Sequence, residues 1–131
     1  MSQHRFPVRI YYEDTDFSGN VYHAAYLKFF ERGRTEFLRD LGIHHHELAE
    51  QGIAFAVRSM ELEFIGAAQI DDQLMVTTAV VESTGVRLVL DQTIVRGETL
   101  LTKARVLVVA IKTSGGPARL PADLRAMLSG G

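Results

Sequence analysis

The chain has 131 residues, no cysteine, and 14 Lys and Arg against 16 Asp and Glu, which give a formal net charge of −2. This length fits one domain over residues 1–131, and the charge excludes the strongly basic surface that attracts nucleic acid. Without cysteine the chain can form no disulfide, thiolate metal site or cysteine nucleophile, a composition that fits a cytoplasmic protein.

The N-terminal third predicts a short strand and then a long helix. Residues 6–12, "FPVRIYY", are rich in aromatic and β-branched side chains, as strands are. From His23 the apolar positions fall three or four residues apart, the period of one helix face, and Gly42 marks the end of this helix. The apolar stripe of the predicted helix consists of Tyr26, Phe30, Gly33, Phe37 and Leu41.

Gly33 interrupts this apolar stripe. A glycine inside a helix costs about 1 kcal/mol of stability relative to alanine, so its presence needs a compensating reason. Close approach of another backbone is such a reason. We therefore expect the helix to pack tightly against a sheet at Gly33.

The remainder of the chain predicts a second short helix, four strands and a terminal helix. The short helix lies near "HHHELAEQG", residues 44–52, and turn signals at residues 71–72, 84–85 and 96–97 separate the strands. Such short turns predict an antiparallel meander of these four strands. The strand segments are residues 53–68, 72–83, 85–96 and 98–112, and the terminal helix begins near residue 122 and ends in a frayed tail.

One long helix on a strongly curved antiparallel sheet of about five strands defines an α+β fold. The order β, α and then four β strands, with the sheet wrapped around the helix, is the hot-dog arrangement. No apolar run approaches the roughly 20 residues of a membrane helix, and the N-terminus shows no secretion signal. We therefore expect no membrane insertion.

Residues 11–42, "YYEDTDFSGNVYHAAYLKFFERGRTEFLRDLG", contain more acidic side chains than their turn requires. Glu13, Asp14 and Asp16 precede Gly19 and a helix that starts at His23. An ordinary turn needs only one Asx side chain and a glycine. The excess of carboxylates at the start of a helix indicates a chemical role.

This stretch resembles the signature of the hot-dog acyl-CoA thioesterases of the 4-hydroxybenzoyl-CoA thioesterase type. Within that family it is similar to the bacterial branch associated with the Tol-Pal envelope system. The likeness extends from residue 6 to residue 124, through "FAVRSMELEFIGAAQIDDQL" and "ARLPADL". The chain departs from the family after Phe64, where Gly66-Ala67 replaces the usual Pro-Ala. The resemblance implies an enzyme that hydrolyses acyl-CoA to a free acid and coenzyme A.

The resemblance assigns the catalytic roles to Asp16 and to His23, whose backbone N–H would bind the oxyanion. The placement is chemically sound, because a thioester carbonyl needs a carboxylate to attack it or to activate water, and a helix N-terminus offers free N–H groups. Gly19 lets the chain turn back between the two. The family implies substrate-binding positions at Tyr12, Gly19, Val21 and Tyr22.

Each of these assignments has a structural alternative. Asp14 and Asp16 also suit an Asx turn and a helix cap, and the His23 side chain suits the orientation of a neighbour as well as proton transfer. Tyr12 and Tyr22 fit ordinary aromatic core positions equally well.

Glu31 is a second candidate carboxylate. Some hot-dog enzymes use a carboxylate on this helix, and a hot-dog dehydratase would pair Glu31 with His23, but the Gly and Pro context of those enzymes is missing. An ion pair of Glu31 with Arg34 or Lys28 is the structural alternative. A non-catalytic acyl-CoA-binding protein or an envelope-associated scaffold is a further alternative.

Coenzyme A would need cationic side chains for its phosphates. The resemblance places Arg58, Arg87 and Arg119 near the pantetheine exit, and a guanidinium group binds phosphate through two N–H groups at once. Solvated surface arginines are the alternative. Since coenzyme A is part of the substrate, we expect no separate cofactor.

Two further expectations concern metals and partners. The adjacent His44, His45 and His46 point in three directions on a helix, so they do not converge on one ion, and we expect no metal site. A single hot dog leaves its sheet edges uncovered, so we expect a homodimer with sites at the subunit boundary. The resemblance favours a homotetramer.

Overall fold

The computed structural model describes residues 3–129, which form five strands and three α-helices. Every predicted element is present; the first strand starts two residues and ends three residues earlier than expected, because Tyr12–Asp14 form a 3₁₀ turn. The end of the predicted frayed tail lies outside the described residues. In chain order the elements are β1 (His4–Arg9), α1 (His23–Asp40), α2 (His45–Glu50), β2 (Ile53–Phe64), β3 (Gln73–Ser83), β4 (Arg87–Arg96), β5 (Thr99–Lys112) and α3 (Ala122–Ser129).

The five strands form one antiparallel sheet in the order β1-β3-β4-β5-β2. The α+β class is confirmed, but the predicted four-strand meander holds only for β3, β4 and β5. The chain leaves β2 at one edge and crosses to the other side of the sheet through residues 65–72, which we call the crossing segment. The turn signal at residues 71–72 therefore marks the end of a crossover instead of a hairpin.

Backbone hydrogen bonds at both ends hold the crossing segment. The N–H groups of Ile65 and Gly66 both donate to the Leu101 carbonyl of β5, at 2.8 and 3.0 Å. At the other end, Ile10 N–H donates to Asp72 O and Asp71 N–H donates to Ile10 O, each at 2.9 Å. The bend that follows Phe64 thus forms without the proline usual in the family.

Helix α1 lies on one face of the sheet, against β1, β3 and β4. Tyr26, Phe29 and Phe30 are buried, and Phe37 and Leu41 are partly buried. Burial of each phenylalanine is worth roughly 1.5–3 kcal/mol relative to exposure. The predicted apolar stripe therefore faces the core. Within residues 3–129, no helix is both long and apolar enough to cross a lipid bilayer.

The sheet approaches α1 most closely at Gly33. A Cβ atom at this position would lie 2.6 Å from Val76 Cγ1, 3.3 Å from Gln92 Nε2 and 3.5 Å from Thr78 Oγ1. The predicted tight packing at Gly33 is confirmed, although side-chain atoms of the sheet, and not its backbone, are the nearest neighbours.

A buried glutamine joins the helix to the sheet beside this contact. Gln92, 1 % exposed, donates from Nε2 to Phe30 O at 3.0 Å and to Thr78 Oγ1 at 2.9 Å. Its Oε1 accepts from Arg34 Nη1 at 3.0 Å. Because these groups are satisfied in a dry interior, they fix the position of α1 along the strands. Burial of Arg34 lowers the pKa of its guanidinium.

Candidate active site

Asp16 lies at the start of a tight turn between the 3₁₀ turn and α1. Gly19 N–H donates to Asp16 O at 3.0 Å, and Asp16 N–H donates to Asn20 O at 3.0 Å. Gly19 has a φ of 86°, a conformation that favours glycine, as the predicted sharp turn requires. A bridge between Thr15 and Val21 closes the base of the turn. We call residues 15–22 the site loop.

Only one oxygen of the Asp16 carboxylate is engaged by the turn. Oδ1 accepts the backbone N–H of Ser18 at 2.9 Å and its hydroxyl at 2.5 Å. In the part of the chain that the structure describes, no hydrogen bond reaches Oδ2. The pKa of Asp16 is lowered, chiefly by the Ser18 hydroxyl, then by the Ser18 N–H, with a further contribution from the nearby His23. The carboxylate is thus an Asx-turn residue that retains a free, ionised oxygen.

Asp14 occupies a different environment. It is 7 % exposed, and its Oδ2 accepts the Tyr11 N–H at 2.9 Å within the 3₁₀ turn. Its backbone carbonyl accepts the Tyr22 N–H at 2.9 Å, just before α1. These contacts match the capping alternative for Asp14 and leave Asp16 as the exposed acid of the pair.

The N-terminus of α1 carries no side-chain cap. Its N-cap residue is Tyr22, which has no hydroxyl close enough to bond the helix N–H groups, and the first turn contains no acidic residue. Among residues 3–129, neither a carbonyl nor a side chain accepts the N–H of His23 or Ala24. Free N–H groups and the positive end of the helix dipole therefore face outward at the end of the site loop.

Exposed aromatic side chains surround this helix start. The His23 ring lies 4.6 Å from the Tyr22 ring and 6.2 Å from the Phe64 ring, measured between centroids. Tyr12 is 82 % exposed and Phe17, beside Asp16, is fully exposed. The core alternative for Tyr12 and Tyr22 is therefore wrong. Both rings lie at the surface, as the side walls of an open binding site do.

One predicted substrate-binding residue is buried, and two aromatic residues at the site were not predicted. Val21 is 5 % exposed and belongs to the core, so its side chain does not face the open surface beside Asp16. Phe17 and Phe64 were not predicted as site residues. The position of Phe17 next to Asp16 in the sequence could have indicated its role, but the approach of Phe64 depends on the pairing of β2 with β5, which places the end of β2 beside His23.

The three predicted phosphate-binding arginines are exposed, and two of them lie at the same hairpin. Arg119 packs against Gly85 of the β3–β4 hairpin, where a Cβ would lie 3.0 Å from its Cζ. Arg87 follows the same hairpin, 3.8 Å from Glu82. Arg58 lies on β2, at the bulge between Val57 and Ser59. Strand β5 separates it from Arg87 on β4.

A cavity of about 320 Å³ lies between α1 and the sheet, next to β2. Glu31 and Arg34 form part of its wall, and most of the rest is apolar. Glu31 follows His23 by eight residues, which places it about 12 Å along the helix axis. The lining residues are Glu31, Arg34, Thr35, Leu38, His45, Phe55, Ala56, Val57, Leu88, Leu90 and Val108.

The adjacent histidines face different neighbours. His44 precedes α2 as its N-cap residue, the His45 ring packs 6.1 Å from that of Phe55, and His46 Nε2 lies 2.9 Å from Glu50 Oε1. Their divergence is the geometry that the sequence predicts for consecutive residues at a helix start.

Comparisons with known proteins identify the family. Residues 11–128 match the thioesterase-like superfamily. The acyl-CoA thioesterase YbgC of Haemophilus influenzae is 44% identical over 123 residues, which cover 92% of this chain and 90% of that protein. The acyl-CoA thioester hydrolase YbgC of Escherichia coli is 48% identical over 112 residues, covering 82% and 81%.

A solved structure shows the same fold. The crystal structure of a "probable thioesterase" from Bartonella henselae superposes with a TM-score of 0.88 at 46% identity, covering 92% of this chain and 100% of that one. The predicted hot-dog fold and the class of thioester hydrolase are confirmed by these matches. The chain therefore belongs to the thioesterase-like superfamily.

Proposed function

We propose that this protein is an acyl-CoA thioesterase that uses Asp16 as its reacting carboxylate. The carrying observation is the free Oδ2 of an ionised Asp16 on a turn that leads directly to the uncapped N-terminus of α1. The names of its YbgC relatives support acyl-CoA as the substrate class. No separate cofactor enters this chemistry.

Asp16 has two possible roles in the reaction. As a nucleophile, Oδ2 attacks the thioester carbonyl carbon, the C–S bond breaks, coenzyme A leaves as a thiolate, and water then hydrolyses the acyl-aspartyl anhydride. As a general base, Oδ2 takes a proton from the water that attacks the same carbon. In both routes the N–H of His23 and the helix dipole stabilise the oxyanion, and the thiolate needs no strong acid to leave.

The remaining predicted residues have roles at the two ends of the substrate. Arg87 and Arg119 present two guanidinium groups at one hairpin for the coenzyme A phosphates, and Arg58 adds a third across the sheet. Tyr12 and Tyr22 flank the thioester. The cavity beside β2 offers an apolar space for the acyl group, and its Glu31 is the reserve carboxylate.

A panel of acyl-CoAs tests the proposed function. Thiol release is measured with short aliphatic, long aliphatic and aromatic acyl-CoAs, in parallel with binding by calorimetry. Turnover of at least one member is expected. Tight binding without thiol release would instead identify a non-catalytic acyl-CoA-binding protein.

A dehydratase is disfavoured within one protomer, because His23 and Glu31 are about 12 Å apart along the helix.

The Ser18 hydroxyl is predicted to extend activity to lower pH. Since its hydrogen bond lowers the pKa of Asp16, the Ser18→Ala variant should have a higher Asp16 pKa. The reaction needs the ionised carboxylate, so the acid limb of the kcat/KM profile should move to higher pH while the rate near pH 8 changes little. Ser129→Ala, which removes a hydroxyl at the distant end of α3, is the control. An unmoved acid limb would show that Asp16 does not control it.

The open edge of β2 is predicted to form a homodimer. β1, the other edge, contains Pro7, which limits pairing with a further strand, whereas β2 spans 12 residues without proline. Since the site is exposed in one chain, a second copy would also enclose it, and dimers of dimers would give the homotetramer.

A cytoplasmic location stays a prediction that fits a coenzyme A substrate.

A charge on the β2 edge tests this assembly. Val57→Lys is expected to shift the mass measured by light scattering toward the monomer, because an unpaired charge opposes strand pairing. Val81→Lys is the control, since Val81 is equally exposed but lies on β3, past the end of β1 and away from the β2 edge. A native protein that is monomeric and active at working concentration would refute the assembly.

A further inference from the structure

Tyr26 carries a buried hydroxyl directly behind the start of α1. The residue is 3 % exposed and follows His23 by three positions, one turn along the helix. Its Oη accepts the backbone N–H of Ala68, which is itself fully buried, at 3.0 Å. Burial raises the pKa of Tyr26, so the phenol stays neutral at physiological pH. A phenylalanine would fill the same space without this hydrogen bond.

Two side chains hold the peptide group that joins Ala67 to Ala68. Tyr26 binds its N–H, and Arg96 Nη1 donates to its carbonyl, the Ala67 oxygen, at 3.2 Å. The same Arg96 nitrogen donates to Asp72 Oδ2 at 2.8 Å, at the end of the crossing segment. The orientation of this peptide plane is therefore set from both sides by residues far apart in sequence.

This peptide in turn supports the site loop. The next carbonyl, Ala68 O, accepts the N–H of Val21 at 2.8 Å, and Asn20 forms a bridge with Gln69. Val21 immediately precedes Tyr22, the N-cap residue of α1. The turn around Asp16 has its own internal hydrogen bonds, so what the crossing segment adds is the placement of that turn relative to the helix N-terminus.

We propose that Tyr26 is a positioning residue for thioester hydrolysis. Through the Ala67–Ala68 peptide and Val21, it holds Asp16 in a fixed position relative to the start of α1. The inference rests on the proposed function. It follows from the requirement that oxyanion donors and the reacting carboxylate be held in one geometry, since a displacement of about 1 Å can cost on the order of 10²-fold in rate. Tyr26 itself touches no reacting atom.

The Tyr26→Phe variant tests the role. We expect kcat to fall about 10- to 100-fold with KM within about 3-fold of native, because the substrate still binds while the reacting groups are less well placed. The acid limb of the pH profile should not move, since the bonds from Ser18 to Asp16 persist. Amide hydrogen exchange at Val21 should become faster. Thr102→Val, which removes a buried hydroxyl without a hydrogen-bond partner in residues 3–129, is the matched control and should retain native kcat.

A double-variant cycle separates positioning from general destabilisation. Arg96→Met releases the other side of the same peptide, so the double variant with Tyr26→Phe should lose less activity than the product of the two single losses. All rates are measured well below the melting temperature, with the folded fraction checked by circular dichroism. Native kcat in Tyr26→Phe, independent effects in the cycle, or a loss that matches unfolding would each overturn the inference. A native protein that releases no thiol would instead refute the proposed function.

Discussion

The Asp16→Asn variant is expected to lose at least about 10³-fold in kcat while it still binds acyl-CoA. The substitution removes the charge and the nucleophilic oxygen but keeps a side-chain oxygen that can accept both bonds from Ser18, so the turn should survive. Thiol release in steady state gives kcat, and calorimetry with an acyl-CoA gives the dissociation constant. Loss of turnover with retained binding would establish the chemical role of the carboxylate.

Asp71→Asn is the matched control for this experiment. Asp71 is also exposed and lies in the crossing segment, and its φ of 70° is one that asparagine tolerates well. The same chemical change there should leave kcat within about twofold, as surface substitutions usually do. Full activity in Asp16→Asn would show that Asp16 only stabilises the turn. Glu31 would then be the leading candidate for the reacting carboxylate.

Isotope labelling tests whether Asp16 acts as the nucleophile. In a single turnover in oxygen-18 water, an anhydride intermediate is opened by labelled water, and attack at the aspartyl carbon leaves the label in the Asp16 carboxylate. A reaction in which Asp16 acts only as a base places the label in the free acid alone. Label found by mass spectrometry in the peptide that contains Asp16 therefore excludes the base-only route.

The Gly33→Val variant is expected to lose about 3 kcal/mol in free energy of unfolding, the upper end of the usual cost of overpacking. The first added carbon would lie 2.6 Å from Val76 Cγ1, and Val76 is fully buried in β3, where its branched side chain has little freedom to move. The gain in helix propensity over glycine is well under 1 kcal/mol and does not offset this clash. Urea unfolding at fixed protein concentration measures the loss.

A second-site substitution tests the cause. Gly33→Ala introduces the same Cβ with less bulk, and Val76→Ala removes the atom that it would meet. The double variant should therefore be destabilised less than the sum of the two single changes. Native stability in Gly33→Val, or simple additivity in the cycle, would show that the contact between α1 and β3 at Gly33 relaxes without cost.

Local patterns account for the parts of the fold that the sequence predicted well. The apolar stripe from Tyr26 to Leu41, the glycine after α1 and the turns near Gly85 and Gly97 depend on neighbours within a few residues, and each has the predicted structure. The strand order was wrong at β2. Pairing of β2 with β5 joins residues about 50 positions apart, and no local signal distinguishes a hairpin at residues 71–72 from the end of a crossover.

The sequence alone determined the secondary structure, the α+β class and a candidate carboxylate at Asp16, because periodicity, turn chemistry and a contiguous motif are written in adjacent residues. Only the tertiary structure decided that Val21 is buried and that Phe64 approaches His23. It also decided that Tyr26 and Arg96 form hydrogen bonds with the same peptide group. These features arise where the end of β2 and the crossing segment meet the site loop and α1, and such contacts between distant segments depend on packing that no short stretch of sequence specifies.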